Sequence, residues 1–199
     1  MAHITLPDNV PGIRSLAQYR PDIGKPLYEL AQALLRAGSP DSTLTDAERE
    51  LIAAYVSSLN RTDFCMNSHA AASRYLFGEA REVVDQTLAN PDTAPISARL
   101  RALLAIAKRV TNDARTVDNE VIKTARAEGA TDGDIHDTVL IAASFAMYNR
   151  YVDGLATLTP TDPAVYEIMG ERMGMLGYLP PVPTEINVSA DDSPAHSSL

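Results

Sequence analysis

Apolar residues in this chain recur every three or four positions, and in no segment do they alternate. In TDAERELIAAYVSSLN, residues 45–60, Leu51, Ile52, Tyr55, Val56 and Leu59 share one face of a helix. Thr45 and Glu48 precede that run at the spacing at which a hydroxyl and a carboxylate each satisfy a backbone N–H at a helix start. PLYELAQALLRAG carries Leu27, Leu30, Leu34 and Leu35 at the same period and stops at Gly38. Further helices are expected from Thr62 or Asp63 to Phe77, over REVVDQTLAN, over SARLRALLAIAKRVTN, and over VDNEVIKTARAEG to Gly129. Thr131 should open a long helix, and PAVYEIMGERMGMLG should add a last one. Nothing reads as a hairpin between β-branched runs. The expected fold class is all-α.

Punctuation divides the chain. Residues 1–26 hold Pro7, Pro11, Pro21 and Pro26 with Gly12 and Gly24, and read as an extended arm with one short helix. Residues 27–178 form the helical domain, and 179–199, LPPVPTEINVSADDSPAHSSL, have the composition of a tail. A length of 199 residues suits one core. The net charge of −9 argues against nucleic acid as a partner, because phosphate contacts need clustered Lys and Arg. No run of about 18 apolar residues is present, so no membrane span is expected. A single cysteine excludes an intrachain disulfide and suits a reducing compartment. MAHITLPDNVPGIR has no apolar signal region. The expected location is cytoplasmic.

The candidate chemistry lies in LNRTDFCMNSH. Cys65 and His69 stand four apart, one above the other on a helix. A cap at Thr62 or Asp63 puts Cys65 in the first turn, where unpaired N–H groups and the helix dipole favour a thiolate. The Asp63 charge opposes this, and a neutral His69 could accept the thiol proton. The plain alternative is a buried inert thiol beside a solvated histidine. Glu50 lies opposite the apolar stripe, among Ala53, Ala54, Ser57 and Ser58. Small side chains let another helix approach, so Glu50 is expected in a crevice where desolvation raises its pKa and suits it to proton relay; a solvated glutamate is the plain alternative. His136 reads as structural or exposed. His3, His69, His136 and His196 are scattered, and no phosphate-binding glycine loop is present, so neither metal nor cofactor is expected.

Glu50, a fifteen-residue step to Cys65, and His69 four further on resemble the motif of the alkylhydroperoxidase D-like group of the carboxymuconolactone decarboxylase superfamily, its peroxidase-related branch in particular. The likeness runs over residues 40–158 and includes LTDAERELIAAYVSSLN, LRALLAIAKRVT and EGATDGDIHDTVLIAASFAMYNRYVDG. The family motif is a glutamate followed by C-x-x-C-x-x-x-H; Glu50, Cys65 and His69 match the glutamate, the second cysteine and the histidine. Thr62 stands where the family has its first cysteine. The resemblance implies an all-α bundle, a homo-oligomer (dimer, trimer or hexamer) and a small-molecule substrate. It also implies that the end of the long helix packs close to the motif helix, where Asn149 or Arg150 could reach the pocket, Arg150 holding a substrate carboxylate; a capped helix end with surface charges is the plain alternative. It implies peroxide reduction in which the second cysteine attacks and the first resolves the sulfenic acid. With Thr62 in place, Cys65 would need an external thiol reductant. The alternatives are a non-redox enzyme of the superfamily, a decarboxylase-like lyase acting on a lactone or carboxylate with His69 or Glu50 as acid/base, and a catalytically degenerate member.

Overall fold

The computed structural model describes residues 1–179. The tail expected at 179–199 therefore falls, Leu179 aside, outside the described residues. Within them the regular elements are helical: α1 Ile13–Tyr19, α2 Pro21–Gln32, α3 Asp46–Leu59, α4 Asp63–Phe77, α5 Glu82–Ala89, α6 Ala98–Asp113, α7 Asn119–Ala127, α8 Asp132–Gly154 and α9 Pro163–Leu176. Short 3-10 turns join some of them, and α2 runs on into a wide π-helical turn, Ala33–Ala37. None of these helices is long and apolar enough to cross a membrane.

α3 is the central element. Ten of its fourteen residues are buried, too many for one stripe, because α4, α6 and α8 all pack against it. Its start is the capping box expected from the sequence: Thr45 Oγ1 accepts from the Glu48 N–H at 3.2 Å, and Glu48 Oε2 accepts from the Thr45 N–H at 2.9 Å. α8 opens on the same device, between Thr131 and Asp134. The larger core gathers Leu51, Ile52, Val56, Leu103, Ile106, Ile141 and Phe145 from α3, α6 and α8. A smaller one, Leu16, Phe64, Cys65, Ala71, Val152 and Tyr166, joins α1 and α9 to α4.

The arm differs from its expected form. α2 begins at Pro21 rather than at Pro26, so the chain is helical from residue 21 and no boundary falls at 26/27. Pro21 occupies the first turn, where a missing N–H costs nothing, and its fixed φ suits helix entry. Pro26 is carried inside the helix.

α9 lies against α4 at a glycine contact. A Cβ built on Gly170 would stand 2.5 Å from the Ala71 carbonyl carbon and 2.7 Å from the Ala72 nitrogen. Backbone cannot move aside as a side chain can. Gly170→Ala is expected to push α9 outward and cost about 1–3 kcal/mol, read as a lower urea midpoint with unchanged helix content.

Candidate functional site

Glu50 sits at the heart of the arrangement, fully buried on α3. Its two carboxylate oxygens are shared among three partners. Oε2 lies 2.7 Å from His69 Nδ1 on α4. Oε1 accepts from Arg36 Nη2 at 2.7 Å and from the Tyr178 hydroxyl at 2.5 Å. Arg36 comes from the π-helical turn after α2, and the same Nη2 also donates to the Met173 carbonyl of α9 at 2.9 Å. Its guanidinium stands over the Tyr178 ring at 5.3 Å.

Tyr178 is aimed by the turn that ends α9. Gly177 adopts φ +67° and ψ −148°, a conformation open to glycine. A Cβ there would meet Gln32 Oε1 at 2.5 Å, the atom that accepts from the Tyr178 N–H. The phenol thereby reaches Glu50 and comes within 3.4 Å of His69 Nδ1. His69 packs edge-on to Phe145, ring centres 4.6 Å apart.

Burial alone would raise the Glu50 carboxyl, which is what the sequence suggested. Instead the His69 contact, the Arg36 charge and the Tyr178 hydrogen bond outweigh desolvation and hold it below the ordinary carboxylate range. An ionised Glu50 only accepts, so Nδ1 of His69 carries the hydrogen and Nε2 is left as the basic nitrogen. Tyr178 moves the other way: burial first, then the Glu50 charge, push its phenol well above the usual value. It is a hydrogen-bond donor here, not an ion.

Cys65 is the third residue of α4, in the first turn as expected, and is buried at 3% exposure. Its thiol is nonetheless pushed up to about 12, not down. Burial is the main cause; Asn149 draws it down and the Asp153 charge raises it further. Desolvation of a thiolate outweighs the dipole of one helix end. Alkylation of Cys65 by iodoacetamide should accordingly be slow at pH 7 and climb about tenfold per pH unit through pH 9; a plateau in that range would reveal a thiolate.

Thr62 does not cap α4 with its side chain. Its hydroxyl donates to Asp153 Oδ2 at 2.5 Å and ties the start of α4 to the end of α8. Asn149 is buried; its amide donates to Ser57 Oγ at 3.0 Å, and its carbonyl accepts from Asn60 at 2.9 Å. Arg150 points to solvent and donates to the Ala146 carbonyl. Neither Asn149 nor Arg150 lines the cavity: Asn149 lies behind it, bridging α3 to α8 and touching the Cys65 thiol, and Arg150 faces outward. His136 is exposed and bonded to Ser39 and Asp137.

Cys65, Ser68 and His69 line a cavity of about 500 Å³ between α1, α2, α4, α8 and α9. Its wall is mostly apolar, with Leu27, Phe64, Phe145 and Met169, and carries the polar groups of Tyr28, Tyr148 and Tyr178. Glu50 stays behind His69, out of the cavity. Sequence reasoning found Glu50, Cys65 and His69 but missed Arg36 and Tyr178. Among the described residues no group of three or more His, Cys, Asp or Glu side chains could hold a metal ion.

The family model for the carboxymuconolactone decarboxylase family matches residues 21–109. No curated protein matches the sequence. Among solved structures, an uncharacterized peroxidase-related protein from Ralstonia eutropha JMP134, described as an alkylhydroperoxidase AhpD core, is similar at 28% identity and a TM-score of 0.70, over 81% of this chain and 82% of that one. An uncharacterized peroxidase-related protein from Silicibacter sp. TM1040 is similar at 26% identity and TM-score 0.70, over 79% of each chain. A protein from Agrobacterium tumefaciens bearing the AhpD name, 22% identical, shares the fold at TM-score 0.63 over 74% of this chain and 97% of that one. Over residues 21–109 this chain matches the carboxymuconolactone decarboxylase family model, and its all-α fold is similar to that of the AhpD-like, peroxidase-related structures.

Proposed function

We propose that the protein is a small-molecule acid/base enzyme in which His69 moves a proton at Nε2 and Glu50 fixes and supports its imidazole. The observation that carries this reading is the 2.7 Å contact between His69 Nδ1 and an ionised, triply held carboxylate, with the same ring lining the cavity. An oriented imidazole of this kind takes a proton from carbon beside a carbonyl, or returns one to the electron pair left when carbon dioxide departs. Cys65 then shapes the wall.

A second reading is thiol-dependent peroxide reduction, favoured by the position of Cys65 one turn before His69 and by the peroxidase-related description of two similar structures. In it the Cys65 sulfur attacks a hydroperoxide oxygen, giving a sulfenic acid and an alcohol, with the thiol proton passing through His69. Two equivalents of an external thiol restore Cys65 and leave water and a disulfide. A thiol at about 12 weakens this reading, since the thiolate is the nucleophile.

The experiment compares wild type, Cys65→Ser and Thr62→Cys in two assays: peroxide consumption with added dithiothreitol, and turnover of a panel of lactone carboxylates and 3-oxo acids. Turnover in the second panel that survives Cys65→Ser supports the acid/base reading. Peroxide consumption lost in Cys65→Ser, with no turnover of the panel, supports the other.

A further inference from the structure

The cavity is charged against the trend of the chain. Asp and Glu outnumber Lys and Arg 26 to 17 overall, yet the described residues lining the cavity include Arg14, Lys25 and Arg172 and no acid. Lys25 has a partial partner in Glu29 at 3.8 Å. Arg14 on α1 and Arg172 on α9 line the cavity and form no ion pair among the described residues. Both arginines act on one group. Burial lifts the Tyr28 phenol above its ordinary value, and the charges of Arg14 and Arg172 draw it back. Arg14, Tyr28 and Arg172 all line the same cavity as His69, and both arginines are exposed, at its edge.

We propose that Arg14, Tyr28 and Arg172 bind the carboxylate of an amphipathic acid, whose apolar body lies along Leu27, Phe64, Phe145 and Met169 and reaches His69. Guanidinium groups suit this task because their planar forks pair with carboxylate oxygens and remain charged at every relevant pH. A local positive rim on an acidic protein also draws an anion to this mouth in preference to the rest of the surface. A chamber of about 500 Å³ accommodates a medium-chain or single-ring body. Arg14 and Arg172 both lie outside the 21–109 stretch that the family model matches, so the rim belongs to the arm and the last helix of this chain rather than to the matched region. The proposal deepens the acid/base reading by naming its substrate class, but the binding it describes does not depend on proton transfer.

Isothermal titration with octanoate and with 1-octanol separates head from body. Wild type is expected to bind octanoate at least about tenfold more tightly than 1-octanol, a difference of about 1.4 kcal/mol. Arg14→Gln/Arg172→Gln should equalise the two ligands, and Arg14→Lys/Arg172→Lys should retain part of the preference. Equal binding of both ligands by wild type, no octanoate binding, or an undiminished preference in the glutamine pair would each overturn the proposal. Turnover is read separately: if His69→Gln keeps full turnover while the octanoate preference of wild type holds, the acid/base reading fails and the anion rim stands.

Discussion

His69→Gln should lose turnover by about 10²–10⁴-fold, the range an oriented general acid/base supplies, while Cys65→Ser stays within about threefold of wild type on the same substrate. Glutamine retains a polar group on the helix near Glu50 but has no nitrogen that can take and return a proton. His69 and Tyr178 both touch the buried carboxylate and line the cavity, but of the two only His69 offers a nitrogen that can take and return a proton. Its loss should therefore fall on kcat rather than on KM. Glu50→Gln should follow in the same direction and for a different reason: the amide no longer fixes the hydrogen on Nδ1 by accepting alone. Circular dichroism melts of each variant separate lost chemistry from lost fold. The reading is sunk if His69→Gln turns over like wild type, or if Cys65→Ser alone is inactive.

Residues that satisfy one another locally were legible before the structure; residues that do so across the chain were not. The Thr45–Glu48 and Thr131–Asp134 helix starts are contacts over three positions, and Thr45 and Thr131 could be read from spacing. Cys65 and His69 share a face for the same reason. Glu50 was visible through its small neighbours, because a solvated face would carry longer polar side chains. Arg36 and Tyr178 reach Glu50 from 14 and 128 positions away, and nothing in their own neighbourhoods marks them. An arginine at the end of an amphipathic helix reads as a dipole partner, and a tyrosine after a glycine reads as a helix exit.

Glu50 was expected to rise because its crevice was visible and its partners were not. For Cys65 two outcomes were open, a thiol lowered by its place in the first turn or a buried inert one, and burial decides between them. The sign of a shift depends on the balance between desolvation and specific partners, and that balance is a tertiary property. The proline-rich arm illustrates the reverse case: its composition suggested an extended chain, but Pro21 starts α2 and Gly24 lets α2 approach Ala17 of α1 within what would be 2.6 Å of a Cβ.

Arg36→Met should destabilise the protein by about 3–5 kcal/mol at pH 7, because it leaves a wholly buried carboxylate without its cation. Glu50 is 0% exposed, the Arg36 side chain 10%, and the pair is 2.7 Å apart, so solvent screens it little. The pH dependence identifies the cause. In wild type the folded Glu50 carboxyl lies below its unfolded value of about 4.5, so its contribution is present above that pH and is lost as pH falls through the folded value. Removing Arg36 raises the folded value while the unfolded one stays put. The variant is then weakest where Glu50 must be charged and recovers as it takes a proton. Urea denaturation from pH 7 to pH 4 should show the gap between variant and wild type narrowing on acidification. Asp137, held well below the ordinary range by Ser39, Arg49 and His136 against its own desolvation, titrates in both proteins and cancels from the difference. A constant gap would place the effect in the lost Met173 carbonyl contact or in packing against Tyr178 instead; a narrowing one assigns it to the charge that holds His69 in place.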